Sequence, residues 1–212
     1  MYAFMAVIAL TGWFALALQL YIIIRNNIAN DTSVVDGVIK FFSFFTVLTN
    51  ILVALSLTAA LISPATGMGK FFSRVSVKSA IAVYIAIVSI IYNFVLRQLW
   101  NPQGLQLIAD ILLHQVIPLL YVFYWIAFVP KGTLAWKFPV RLLIYPLIYL
   151  TYIIVRGAAT GHYPYPFMDV TQIGTEQVLL NALLIMIGFI TIGFLLVITD
   201  MSMKPKARRR SR

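Results

Sequence analysis

The chain has no cysteine, only two histidines and only six acidic residues among 212. Without cysteine there is no disulfide frame, no thiolate metal site and no cysteine nucleophile. A single histidine, His114, falls within an apolar segment. That is too few nitrogen or sulfur ligands for a zinc-type site, so neither a metal nor an organic cofactor is expected. Charge of either sign is scarce too: 10% of residues carry it, against about a quarter in a soluble domain. No polar stretch is long enough for a separate soluble domain, and no internal repeat is visible. The first apolar run lacks a basic leader and is long enough to span, so it reads as a retained span and not a cleaved signal.

What fills the chain is hydrophobic side chains, at 62%. Crossing a bilayer takes about 20 apolar residues in a helix, and six runs approach or exceed that length: 3–24, 38–62, 79–96, 108–129, 140–155 and 178–199. The fifth is the shortest and most amphipathic, with Tyr145, Tyr149 and Tyr152. The fold class expected is an all-α integral membrane protein, a six-transmembrane-helix bundle over 1–200 followed by a basic tail, 201–212.

The net charge of +10 is unevenly placed. Lys70, Arg74, Lys78, Lys131, Lys137, Arg141, Lys204, Lys206, Arg208, Arg209, Arg210 and Arg212 all fall on one side of the six runs. Only Arg25, Lys40, Arg97 and Arg156 fall on the other, together with Asp31, Asp36, Asp110, Asp169 and Glu176. The positive-inside rule then puts both termini in the cytoplasm of a multi-pass cell-membrane protein. The tail is expected to touch anionic lipid headgroups, and not nucleic acid.

With that orientation, polar residues gather in the outer half. Ser43, Thr46 and Asn50 share a helical face of the second run at i, i+3 and i+7. Asp110 and His114 are one turn apart on the fourth. Thr46 and His114 both fall about two turns below the outer entry, roughly 10 Å deep. Gln19, Tyr92, Asn93, Arg97, Tyr152, Arg156 and Asn181 lie in the outer parts of the remaining runs. The pattern predicts an outward-facing polar cavity, because ionisable groups within a membrane usually face a bundle interior or water.

A threonine hydroxyl becomes a nucleophile when a histidine takes its proton, and a third group orients that histidine. Thr46, His114 and Asp110 have the residue types and depths for those roles. Asn50 or Asn93 could donate to an oxyanion, and Arg97 or Arg156 could hold a carboxylate, with His162 in an outer loop nearby. Each also has a structural reading. Thr46 could bond its own helix backbone, the two asparagines could join helices, and the arginines could snorkel.

Three segments carry a resemblance. Thr160-Gly161-His162-Tyr163-Pro164-Tyr165-Pro166-Phe167, Phe44-Phe45-Thr46-Val47-Leu48 and His114-Gln115-Val116-Ile117-Pro118 resemble, in order, motifs of the androgen-induced and androgen-dependent TFPI-regulating protein family. Its members are multi-span intramembrane threonine hydrolases acting on fatty acid esters of hydroxy fatty acids. The resemblance covers about residues 40–199 and implies Thr46 as nucleophile and His114 as its partner. A second register, through Lys40-Phe41-Phe42-Ser43, would make Ser43 the nucleophile. The His-to-Pro spacing is one residue shorter than the family's, and Ile111 stands where the family has a further histidine. The expectation is of a distant bacterial relative acting on a lipid-ester substrate. The competing expectations are a small transporter or channel using the same cavity, and a non-catalytic lipid-binding membrane protein.

Overall fold

A computed structural model describes residues 1–99 and 101–205. The chain is an all-α bundle with six helical units long and apolar enough to span a membrane: Tyr2–Ala29, Phe45–Ile62, Val75–Leu96, Leu105–Phe128, Phe138–Thr160 and Val170–Ser202. In chain order the helices are α1 (Tyr2–Ala29), α2 (Val34–Phe41), α3 (Phe45–Ile62), α4 (Gly67–Ser73), α5 (Val75–Ile91), α6 (Leu105–Ile111), α7 (Ile117–Phe128), α8 (Phe138–Arg141), α9 (Ile144–Thr160) and α10 (Val170–Ser202). Two π-helical turns interrupt the set. Tyr92–Leu96 prolongs α5, and Leu112–Val116 joins α6 to α7.

These helices run longer than the apolar segments at several ends, because polar side chains there bond the backbone. Asn30 Nδ2 donates to Asn26 O at 2.7 Å and carries α1 past residue 24. Asp169 accepts from Thr171 N at 3.0 Å and caps the first turn of α10, which a kink at Gly174 (φ 77°, ψ 159°) sets off from the rest of that helix. The second span differs from expectation in a way that matters for the site. It is not continuous from 38 to 62: α2 ends at Phe41, and α3 begins at Phe45. Ser43 Oγ donates to Ile39 O at 2.7 Å, while Ser43 N turns to Lys40 O at 2.9 Å. Such side-chain bonding competes with the helical ladder. Phe44 is extended, with ψ 127°. The shared face of Ser43, Thr46 and Asn50 is therefore broken, and Thr46 stands in the first turn of a new helix.

Small residues let α1 lie close on α3. A Cβ added at Gly12 would meet Ala54 Cβ at 3.1 Å, the close approach that small side chains permit between membrane helices. The fifth span is held differently, by tyrosines. Tyr149 Oη donates to Ser43 O at 2.9 Å, and Tyr145 Oη pairs with Thr49 Oγ1 at 3.3 Å. Phe45, Tyr84, Tyr145, Tyr149 and Phe189 pack as an aromatic layer across the middle of the bundle.

The end of the bundle carrying Lys70, Arg74, Lys78, Lys131, Lys137 and Arg141 is here termed the basic end. There a fully buried carboxylate, Asp200 of α10, accepts from the backbone N–H groups of Thr133 and Leu134, both at 2.9 Å. It ties the α7–α8 connection to the last helix. Asp200→Ala leaves those N–H groups without an acceptor, and a buried donor so orphaned costs about 1–3 kcal/mol. Thermal unfolding in detergent should show a clear fall in Tm, whereas an unchanged Tm would remove Asp200 as a structural tie.

Candidate active site

Pro118 cannot donate a backbone hydrogen bond, and this shapes the fourth span. Ile117 N bonds Leu112 O, five residues back, which opens the π turn Leu112–Val116. The next carbonyl in that wider pattern, Leu113 O, has no N–H from Pro118. Asn50 Nδ2 of α3 supplies one instead, at 3.1 Å, while also donating to Thr46 O at 2.8 Å. A related device widens the third span. Asn93 Nδ2 occupies Ser89 O at 2.8 Å, and Arg97 N bonds Tyr92 O at 2.8 Å, five residues back. π-helical turns occur often at functional sites. Here one begins at Tyr92, and the other contains His114.

Those two residues meet. Their rings stack with centroids 4.0 Å apart and planes 15° from parallel. Asp110, 3% exposed, lies against both. Tyr92 Oη donates to Asp110 Oδ2. His114 Nδ1 lies 2.9 Å from Asp110 O and 3.3 Å from Asp110 Oδ1. An imidazole with Nδ1–H given to two oxygens carries its free lone pair on Nε2, the tautomer a general base needs. Asp110 is thus fixed on one side by a phenol and fixes His114 on the other.

Thr46 faces the same space. A cavity of about 480 Å³ at the end opposite the basic one is lined by Thr46, Asp110 and His114 together with Tyr92, Gln19 and Gln106. Among the described residues, no hydrogen bond joins Thr46 to His114, although both border this cavity. Gln106 Nε2 donates to Gln19 Oε1 at 2.8 Å and holds α1 to α6 along the wall. Thr46 is the second residue of α3, where backbone N–H groups have no partner within the helix and the helix dipole is positive. Its own N–H is 3.4 Å from Tyr165 Oη. Behind Thr46 and Tyr165, which border both spaces, lies an apolar void of about 50 Å³ reaching Ile87, Tyr149 and Phe189.

Tyr165 arrives on the connection between α9 and α10. Pro164, Tyr165 and Pro166 form a wall of the cavity, and the Tyr165 ring stacks on Phe167 at 5.1 Å. Burial pushes the Tyr165 phenol above its ordinary pKa. Arg156 Nη1 donates to His162 O at 3.0 Å, and Asn181 Nδ2 donates to Phe167 O at 2.8 Å. The Tyr163 ring lies where a Cβ on Gly157 would be, 2.0 Å from the nearest ring atom. The connection is therefore clamped to α9 at one side and α10 at the other.

Of the eight residues expected at the site, Thr46, Asp110 and His114 border the cavity, and Asn50, Asn93, Arg97, Arg156 and His162 do not. Asn50 is fully buried behind Thr46 as a helix–helix tie. Asn93 bonds its own helix, Arg97 is exposed, and Arg156 and His162 belong to the loop clamp. The hydroxyl of Ser43 is given to Ile39 O, which leaves Thr46 as the hydroxyl of that pair bordering the cavity. Two polar lining residues, Gln106 and Tyr165, carried no role in the sequence reading. Tyr165 stands in one of its motifs, but nothing in spacing reveals that a loop residue folds back onto the start of α3.

No protein-family model matches the chain, and neither a curated protein nor a solved structure matches it.

Replacing Asn50 by Leu removes donors from two carbonyls at once. Interhelical hydrogen bonds in membranes contribute about 0.6 kcal/mol on average and up to about 1.7. The loss should lie at the upper end of that range in an unfolding titration, and a loss near zero would contradict the tie. A pH effect follows from Asp169. Hydrogen bonds from the Thr171 hydroxyl at 2.6 Å and from Gln172 at 2.7 Å hold its carboxyl below the ordinary carboxylate range. A depressed value stabilises the folded loop at neutral pH, and that contribution disappears as pH falls through the folded pKa. Amide protection factors over 163–174 should fall on acidification, and Asp169→Ala should remove that pH dependence.

Proposed function

We propose that the chain is an intramembrane lipid-ester hydrolase with Thr46 as nucleophile and His114 as general base, distantly related to the androgen-induced and androgen-dependent TFPI-regulating proteins. The observation that carries the reading is that Thr46 and His114 border one cavity while Asp110 orients His114 from behind. The three motif segments support the family assignment. The distribution of basic residues supports a cell-membrane protein with cytoplasmic termini and the cavity toward the outer leaflet. The tail's basic residues Lys206, Arg208, Arg209, Arg210 and Arg212 lie outside the described residues. Their proposed partners are anionic headgroups.

In this mechanism the ester carbonyl sits beside Thr46, with one arm along the 480 Å³ cavity and the rest in lipid. His114 Nε2 takes the Thr46 proton as Oγ bonds the carbonyl carbon. The carbonyl electron pair moves to oxygen, where the first-turn N–H groups of α3 and the Tyr165 hydroxyl can donate. Collapse breaks the bond to the alcohol oxygen, which takes the proton from His114. Water then attacks the acyl-threonine, again giving its proton to Nε2. The second collapse releases the acid and returns the proton to Thr46. The aromatic layer below Thr46 supports a closed site over a through-pathway, so hydrolysis is favoured over transport.

The test is release of fatty acid from a fatty acid ester of a hydroxy fatty acid by purified protein in detergent. Thr46→Ala and His114→Ala should each lower turnover by about 10²–10⁴-fold at unchanged Tm, and Ser43→Ala should keep most of it. Tyr165→Phe should lower kcat more than it raises KM. Wild-type protein inert on this ester and on a panel of other lipid esters would end the hydrolase reading.

A further inference from the structure

A second large recess lies at the basic end, on the far side of the aromatic layer from Thr46. Its volume is about 530 Å³, within the range of about 300–1,000 Å³ typical of ligand sites. It opens between α4–α5 and α8–α9. Leu52, Phe71, Ala80 and Ile144 give it apolar walls. Tyr84, whose hydroxyl donates to Leu142 O at 2.7 Å, and Tyr145 close its deep end.

The rim is chemically different from the walls. Lys137 and Arg141, at i and i+4 across α8, both border the recess. Both are exposed, and no carboxylate is among the residues lining the recess. Among the described residues the sole acid–base pair within salt-bridge distance is Asp110 with His114, so neither rim cation is neutralised by them. Phe71 and Ile144, which line the recess, expose 46% and 63% of their surface, as side chains facing acyl chains do.

An occupant must therefore place apolar chains against Leu52, Ala80 and Ile144 and an anion between an ammonium and a guanidinium. From this charge complementarity at the mouth of an apolar recess we infer that the recess binds one anionic phospholipid, its phosphate held by Lys137 and Arg141. Arginine suits a phosphate because its planar fork donates two parallel hydrogen bonds. The lipid bridges α5 to the fifth span, whose hydrogen bonds to Tyr84, Thr49 and Ser43 involve its tyrosines and Leu142 O. The site is separate from the Thr46 cavity, no described residue of the tail is among those lining it, and it does not depend on the hydrolase reading.

The experiment titrates purified full-length protein with phosphatidylglycerol or phosphatidylcholine of the same acyl chains, reading lipid retention by native mass spectrometry and Tm in parallel. Wild type should retain one phosphatidylglycerol per chain with a raised Tm and should bind phosphatidylcholine more weakly. The double variant Lys137→Gln/Arg141→Gln should lose about thirtyfold in phosphatidylglycerol affinity, from the attraction typical of a basic residue near an anionic surface. Its phosphatidylcholine binding should not change. Ala80→Trp, which fills the recess without altering charge, should also lose retention. Neutralising Lys204, Lys206, Arg208, Arg209, Arg210 and Arg212 to Gln should leave retention intact. The inference is overturned if the rim variant binds like wild type, if the tail variant is the one that loses the lipid, or if millimolar inorganic phosphate displaces the lipid completely.

Discussion

A carboxyl group inside a membrane bundle has to find hydrogen-bond partners among its neighbours, and the site depends on how Asp110 meets that requirement. Lipid supplies no hydrogen bonds, so an ionisable group at this depth needs partners from the protein. Asp110 has two, the Tyr92 hydroxyl and His114 Nδ1, and these come from the third and fourth spans. One buried acid therefore fixes the relation of two helices and the tautomer of the histidine together. The Tyr92–His114 stack is the geometric result: both rings are drawn to the same carboxyl from adjacent helices.

The backbone around this acid obeys the same rule. Three places near the cavity where the α-helical ladder fails each trace to a named group. Pro118 withholds a donor, and Asn50 reaches across from α3 to replace it. Asn93 occupies a carbonyl of its own helix, and the ladder slips by one residue. Ser43 does the same to Ile39, the second span breaks, and α3 starts afresh with Thr46 in its first turn. The irregular backbone thus gathers around the cavity, as expected where membrane-depth backbone lines a polar space.

This explains which parts were legible in the sequence. Six spans follow from apolar length, and the Asp110–His114 contact follows from i, i+4 spacing, because both depend only on local periodicity. The depth match places Thr46 and His114 together, and both do border one cavity, but through a wrong intermediate, since the helix taken as continuous from residue 38 breaks at Phe42–Phe44. The five polar residues expected to bind substrate rest on side-chain chemistry and position along the chain, and neither reports which way a side chain points. Asn50, Asn93, Arg156 and His162 have structural jobs visible only once the π turns and the folded-back loop are known. Tyr165 is the converse case. Its contact with α3 joins positions 119 apart in sequence, and no local pattern encodes it.

The aromatic layer of Phe45, Tyr84, Tyr145, Tyr149 and Phe189 gives the two ends of the bundle separate chemistries. A single water-filled path would couple the Thr46 cavity to the recess at Lys137 and Arg141, and a protonated histidine would then sit on a route for ions. The layer instead fills the gap between α3 and the fifth span with rings whose hydroxyls are bonded to Thr49, Ser43 O and Leu142 O. Tyrosine suits this position because it offers a large apolar body and one polar tip that must find a partner when buried. Phenylalanine would fill the same volume but lose the tie to Thr49 of α3 at position 145, or the tie to Ser43 O at position 149. The tyrosines therefore serve as both seal and fastening, which is why the shortest and most amphipathic apolar run can still complete the bundle.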